Sequence, residues 1–186
     1  MQITVTRFDI EGPLKLTGRR FGDNRGWFAE TYSQADMAAV GITNTFVQDN
    51  HSQSVPRGTV RGMHYQLPPN AQAKLIQALR GRVLSVAVDI RRASPTFGQH
   101  VSVELSADTP DHFYIPAGFA HGFCTLEDNA EIFYKVDAYY APAQERGILW
   151  HDPALGIAWP VDPAAAVISP KDGLHPPLAQ QPDLFP

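Results

Sequence analysis

The chain of 186 residues contains one cysteine, Cys124. A single thiol cannot close an internal disulfide or furnish the paired thiolates of a structural zinc site, so a reducing compartment is expected. Charge is sparse too: Asp, Glu, Lys and Arg make up 18% of the sequence, with 15 Lys+Arg against 19 Asp+Glu and a net charge of -4. No basic block could neutralise a run of phosphates, which excludes nucleic acid as the expected partner. No apolar run approaches the ~18 residues of a membrane-spanning helix, and the opening MQITVTRFDI has no basic stretch ahead of an apolar core. A cytoplasmic protein without a membrane partner is expected.

What is present points to β structure. Hydrophobic residues are 44% of the chain, enough to fill the core of one domain spanning 1–186, while 16 prolines and 14 glycines leave few windows long enough for a helix. Val83 to Ile90 and Val101 to Leu105 are β-branched runs with period-two alternation, and Arg80-Gly81 separates the first from Leu75 to Leu79, which predicts a hairpin. Further short strands are expected at Ile3 to Phe8, Trp27 to Tyr32, Phe46 to Asn50, His112 to Ile115 and Ile132 to Val136. Many short strands between turn signals indicate an all-β sandwich or barrel. One helix is predicted, with Ser33 as N-cap, an Ala-rich stretch over 35–40 and Gly41 as its stop. Eight of the sixteen prolines fall in the last 36 residues, so 160–186 is expected to run as an extended arm against the β domain.

Two of the seven histidines sit in patterned contexts. His64 lies in Gly58-Thr59-Val60-Arg61-Gly62-Met63-His64-Tyr65-Gln66 and His121 in Pro116-Ala117-Gly118-Phe119-Ala120-His121-Gly122-Phe123. The two segments, in this order, resemble the paired motifs of the cupin superfamily, which implies a jelly-roll β-barrel. His100, His112, His151 and His175 lack such context and read as structural. Metal-binding cupins carry HxH and a Glu in the first motif, but here Gln66 stands at the second His position and the next ionisable residue is the cation Lys74. A carboxamide suits imidazole-loving metals poorly, so no catalytic metal is expected.

The resemblance narrows when more blocks are read in order. Asp23-x-Arg25-Gly26-x-Phe28-x-Glu30, Gln48-Asp49-Asn50, Arg61-Gly62-Met63-His64-Tyr65-Gln66, Lys74-Leu75, Pro116-x-Gly118-Phe119-Ala120-His121-Gly122, Tyr134-Lys135, Trp150-x-Asp152-Pro153 and Ser169-Pro170-Lys171-Asp172 together resemble the dTDP-4-dehydrorhamnose 3,5-epimerases of nucleotide-sugar biosynthesis. That family inverts C5 and C3 of a 4-keto-6-deoxyhexose on dTDP without a cofactor and pairs its barrels as a homodimer. By this resemblance His64 is the base, Asp172 its dyad carboxylate, Tyr134 the acid on the opposite face and Lys74 the donor to the C4 oxyanion. Arg25, Glu30, Gln48, Asp49, Asn50, Arg61, His121, Glu145 and Lys171 are then the substrate-binding set, with Lys74 among them, and the resemblance implies Arg25, Arg61, His121 and Lys171 as cations lining the diphosphate. The residue types suit those tasks. Imidazole titrates near neutrality, a phenol stays protonated there, and guanidinium groups bind phosphate bidentately.

Three alternatives stand beside this reading: an epimerase acting at C3 or C5 only, or on another 4-keto sugar nucleotide, which shares these motifs; a metal-dependent cupin enzyme; and a cupin that binds a sugar nucleotide without turning it over. Strand parity also sets a condition. In an unbroken strand His64 and Gln66 face one side and Arg61 the other, so a shared pocket requires a bend or bulge at Gly62.

Overall fold

The computed structural model describes residues 3–186, in which the β-branched and aromatic runs form thirteen strands beside one α-helix. Six strands make the first sheet, in the order β1 (Thr4–Arg7), β2 (Leu14–Thr17), β10 (Asp111–Ile115), β7 (Lys74–Arg80), β12 (Ala130–Val136) and β5 (Gln48–Ser54). Five make the second: β13 (Glu145–Gly147), β6 (Val60–Gln66), β11 (Phe119–Thr125), β8 (Arg82–Asp89) and β9 (His100–Ser106). The short β3 (Phe21–Asp23) and β4 (Gly26–Phe28) pair only with each other. This is the all-β jelly-roll class expected.

Each side of the two sheets has its own apolar partner. Ile76, Phe113 and Ile132 of the first sheet meet Val83, Val103 and Phe123 of the second in the core between them. On the outer side of the first sheet, Leu16, Leu75 and Tyr114 pack under Met37 of α1 (Gln34–Ala39). On the outer side of the second, Val60, Tyr65, Val86 and Val88 are covered by Trp150, Leu178 and the partly buried Trp159, Ile168 and Phe185. Val86, Ala87 and Val88 of β8 are therefore buried whichever way they point, which an exposed sheet would not allow. The segment after 151 runs as extended chain and short 3-10 turns, held by bridges from Val167 to Thr59 and from Phe185 to Arg91.

The helix has the caps its residues specify. The Ser33 hydroxyl accepts from the Asp36 amide at 3.4 Å, and Gly41 ends the helix at φ +95°. Three strand expectations change. Leu75 to Leu79 and Val83 to Ile90 do not pair as a hairpin: β7 bonds to β10 and β12, β8 bonds to β11 and β9, and Gly81 (φ +65°) turns the chain from one sheet into the other. The strand expected over Trp27 to Tyr32 shrinks to β4, because Ala29 and Glu30 leave the hairpin. Phe46 to Asn50 shifts to β5, whose sequence QDNHSQS is polar because one of its faces lines a cavity instead of the apolar core.

β6 contains the bend that strand parity demanded. Against β11, His64 is opposite His121 but Arg61 is opposite Phe123, so three steps along β6 match two along its partner. The extra residue falls at Gly62-Met63, where Gly62 has φ +125° and the peptide to Met63 is cis. Met63 joins the outer cluster with Val60 and Tyr65, and Arg61, His64 and Gln66 all turn to the inside. The pass is tight: a Cβ on Gly62 would lie 2.5 Å from the Gly122 Cα and 2.7 Å from the His121 oxygen. Gly62→Ala is therefore expected to cost roughly 2–4 kcal/mol, combining a strained φ with a backbone overlap. Urea unfolding measures it, and a loss below about 1 kcal/mol, the range of a simple Gly-to-Ala entropy effect, would refute this role for the bulge.

Candidate active site

The inward faces of β5, β6, β7, β11 and β12, closed at one side by β13 and residues 167–172, surround a cavity of about 670 Å³. Three parity choices set its chemistry. On β5, Gln48, Asn50 and Ser52 point in; on β12, Ile132 and Tyr134; on β6, through the bulge, Arg61, His64 and Gln66. His64 stands on the second sheet and Tyr134 on the first, so they face each other across the space.

A long-range link at the centre of the site joins His64 to Asp172, 108 residues apart, with Nε2 2.7 Å from Oδ1. The other carboxylate oxygen accepts the Gly62 amide at 3.1 Å, and the Asp172 amide bonds to the Ser169 hydroxyl at 3.1 Å. Asp172 is 3% exposed. Burial pushes its carboxyl upward, but the bond and charge of His64, the Gly62 amide and Ser169 outweigh this and leave its pKa below the ordinary value. Asp172 is thus ionised and accepts only, so it fixes the proton on His64 Nε2 and leaves the Nδ1 lone pair free.

Lys74 sends Nζ to within 3.4 Å of the His64 carbonyl oxygen, and burial lowers its pKa to about 8 against an opposing pull from Glu145. Burial pushes the Tyr134 phenol above its ordinary value; Arg61 pulls it down in part and Glu145 adds to the rise. It is a protonated donor at neutral pH. Arg61 bonds the Ser54 hydroxyl and the Gln53 carbonyl, both at 3.0 Å, and carries its charge into the cavity without a carboxylate partner among the described residues. At the rim Glu145 accepts from the Tyr140 hydroxyl at 2.8 Å and pairs with Lys171.

Four expected site residues stand differently. His121 is in the cavity, but burial first, then the Lys74 and His64 charges, hold its pKa well down. It is a neutral hydrogen-bonding group beside Ser85 Oγ at 3.0 Å, and not one of the cations expected for a diphosphate. Asp49 lies one step out of phase with Gln48 and Asn50 and pairs with Lys135 on the opposite face at 2.8 Å. Arg25 is at the tip of the β3–β4 hairpin, its side chain 84% exposed and paired with Asp23 at 2.5 Å. Glu30 lines a second cavity of about 300 Å³, with Trp27, His112 and Phe133. Neither Arg25 nor Glu30 reaches the main cavity of its own chain.

Other residues gain a place. Gln66, standing where metal cupins have a histidine, spends its amide on the backbone: Nε2 donates to Asn70 and Tyr139, and Oε1 accepts from Ala141. Tyr140, Gln72 and Ser169 line the space unforeseen, since only the folded 137–144 loop, the 67–73 connection and the arm bring them there. His175, read as structural, has its ring centroid 5.6 Å from that of His64. Its position three residues after Asp172 was the available signal. Cys124 is buried with its thiol pushed up to about 11, which rules out a nucleophilic role at neutral pH.

A jelly roll with an open cavity between its sheets, and an imidazole–carboxylate pair and a phenol on opposite walls, defines a small-molecule protein of the cupin class. Within that class the chain belongs to the dTDP-4-dehydrorhamnose 3,5-epimerase family, whose profile matches residues 7–180. It is 48% identical over 171 residues to the dTDP-4-dehydrorhamnose 3,5-epimerase of Shigella flexneri, covering 91% of this chain and 93% of that one. Among solved structures, the Legionella pneumophila dTDP-6-deoxy-D-glucose-3,5-epimerase in complex with dTDP-4-keto-L-rhamnose superposes with a TM-score of 0.91 at 41% identity, covering 96% of this chain and 94% of that chain. A 3'-monoepimerase from Streptomyces bikiniensis in complex with dTDP-quinovose gives a TM-score of 0.84 at 36% identity, covering 92% and 86%.

A buried ammonium placed for chemistry costs stability, and the pH dependence follows from its lowered pKa. Between pH ~8 and ~10.5 the unfolded chain binds more of the Lys74 proton than the folded one, so this residue makes folding more favourable as pH rises through that window. Below it the full penalty applies. Lys74→Met is expected to raise Tm at pH 7 and to lose that advantage progressively above pH 8, checked by thermal melts of both proteins across pH 7 to 10. An unchanged or lowered Tm at pH 7 contradicts the assignment.

Proposed function

We propose that this protein inverts C5 and C3 of dTDP-4-dehydro-6-deoxy-D-glucose, giving dTDP-4-dehydro-L-rhamnose, by removing and returning protons on either side of the C4 ketone. The observation that carries the reading is the His64–Asp172 bond at 2.7 Å in a cavity whose opposite wall presents Tyr134. Inversion needs a base on one face of the sugar and an acid on the other. His64 Nδ1 takes the proton, Asp172 stabilises the imidazolium, and Tyr134 Oη donates to the opposite face of the enolate. Lys74 receives the charge that develops on the C4 oxygen.

Magnitudes require the two effects together. Positioned acid–base groups supply about 10² to 10⁴ and an oxyanion donor about 10² to 10³. Neither reaches the ~10⁶ at the low end of enzymatic acceleration, whereas their product, about 10⁴ to 10⁷, spans it. Arg61 and Lys171 are the diphosphate cations of this reading, with Gln48, Asn50 and Glu145 for sugar, ribose or base. Protons alone are exchanged, so the reaction draws on no redox cofactor.

The chain works as one unit with its C-terminal arm, which brings in Asp172, and in the cytoplasm. Among the described residues no helix is long and apolar enough to cross a membrane. A homodimer is part of the reading, supported by the β3–β4 hairpin, where Phe21, Trp27 and Phe28 are all more than half exposed. A second copy covering this hairpin would also give Arg25 a setting its own chain lacks.

The decisive experiment is incubation with dTDP-4-keto-6-deoxyglucose in D₂O, read by NMR of the sugar. Deuterium is expected at both C3 and C5, and His64→Asn and Tyr134→Phe each lower turnover by at least ~10²-fold. Light scattering on the same preparation is expected to give twice 20.5 kDa. Exchange at C3 alone would move the protein to the monoepimerase type, and exchange at neither carbon refutes the assignment.

A further inference from the structure

The acid–base mechanism leaves one buried group at the site unused. His175 Nε2 is shielded from solvent and has no hydrogen-bond partner, a costly state for a polar atom. It lies 3.9 Å from Asp172 Oδ1, the oxygen already bonded to His64 Nε2. The ring is held there by packing: Gly147 on β13 is directly against it, and any Cβ at 147 would overlap the imidazole. One donor atom from each of His64, Asp172 and His175 lies within 4.8 Å of the other two.

We propose that His64, Asp172 and His175 form a binding site for a divalent zinc-type cation, and that its occupancy switches the enzyme off. Two imidazoles and a carboxylate are a common zinc donor set, leaving a fourth position for water. With metal–ligand bonds of about 2.0–2.2 Å, tetrahedral ligands stand roughly 3.3–3.5 Å apart. The two imidazole–carboxylate separations of 2.7 and 3.9 Å bracket that range and the donor atoms all lie within 4.8 Å of one another, so closure needs side-chain adjustments of up to roughly 1.5 Å. The unpartnered His175 nitrogen then finds the acceptor its burial otherwise denies it.

Inhibition follows from the electron pairs of imidazole. A neutral ring has one protonated nitrogen and one lone pair. In the free enzyme Asp172 keeps the proton on His64 Nε2, and Nδ1 is the base. When Nε2 gives its lone pair to a cation, the ring proton resides on Nδ1 instead, and the atom that must accept the substrate proton is occupied. One proton changes nitrogen and no redox step is involved. This consequence rests on His64 being the base, as proposed above; the metal site itself does not. Lys74 bonds the His64 carbonyl and not the ring, and Lys171 is partnered by Glu145. Their charge weakens a nearby dication, so micromolar binding is expected.

The test titrates Zn²⁺ against turnover and follows Co²⁺ binding by its visible absorption, using wild-type protein and His175→Asn. Wild type is expected to bind about one Co²⁺ with tetrahedral-type bands and to lose kcat at micromolar Zn²⁺, with KM little changed and full recovery on EDTA. His175→Asn is expected to turn over within about threefold of wild type without metal, lose the bands, and require at least ~10-fold more Zn²⁺ for inhibition. His175→Gln gives the same comparison should the Asn variant not fold. Equal inhibition of wild type and variant, or no Co²⁺ binding up to about 1 mM, overturns the site. Bands that depend on His175 with turnover unaffected by either metal would leave the site standing and overturn His64 as the base.

Discussion

The structure depends on one carboxylate. Asp172 uses one oxygen to hold His64 Nε2 and the other to hold the Gly62 amide, the amide that the bulge in β6 releases from ladder pairing. The two bonds do different work. The first sets the tautomer of the imidazole, and the second pins the distorted strand that carries it. Because Asp172 is nearly fully buried and ionised, removing either partner leaves a carboxylate oxygen without its hydrogen-bond donor, a change that typically costs about 1–3 kcal/mol or more. The C-terminal arm is therefore a wall of the site as well as a cover for the second sheet.

Backbone contact makes this possible. At Gly62 and Gly122 the β6 and β11 chains pass too closely for a Cβ on either, since one on Gly122 would sit 2.5 Å from Met63 Sδ. The local loss of ladder regularity brings Arg61 to the same side as His64 and Gln66. A guanidinium, an imidazole and a structural carboxamide then share one wall, with Lys74 arriving from the facing sheet. The exterior balance of -4 has little bearing on this interior, where Arg61 carries its charge without a carboxylate partner among the described residues and Lys74 is desolvated.

Much of the site was legible in the order of motifs, and what was not has physical reasons. His64, Tyr134, Lys74 and Asp172 all line the cavity, although no local pattern connects the last to the others. Gly62 signalled the bulge because parity forbade Arg61 and His64 from sharing a face otherwise. Asp49 was misplaced for the opposite reason: a contiguous block ignores alternation, and a strand sends every second residue away. His121 was expected among the cations, and its burial and the nearby Lys74 and His64 charges, none of them visible in its motif, keep it neutral. The apparent hairpin at Arg80-Gly81 looked regular because apolar runs on two different sheets carry the same local signal as paired ones. Arg25 and Glu30 stand away from the main cavity, a tertiary placement that their sequence block does not encode.

The central claim is that Asp172 fixes the proton on His64 Nε2 and so frees Nδ1 to act as the base. Nitrogen-15 NMR of histidine-labelled protein, with His64 assigned by its loss in His64→Asn, measures this at the atom concerned. For the neutral ring the account requires a protonated Nε2 and an unprotonated Nδ1, with this preference lost in Asp172→Asn. A neutral His64 protonated at Nδ1 in the wild-type protein would contradict it.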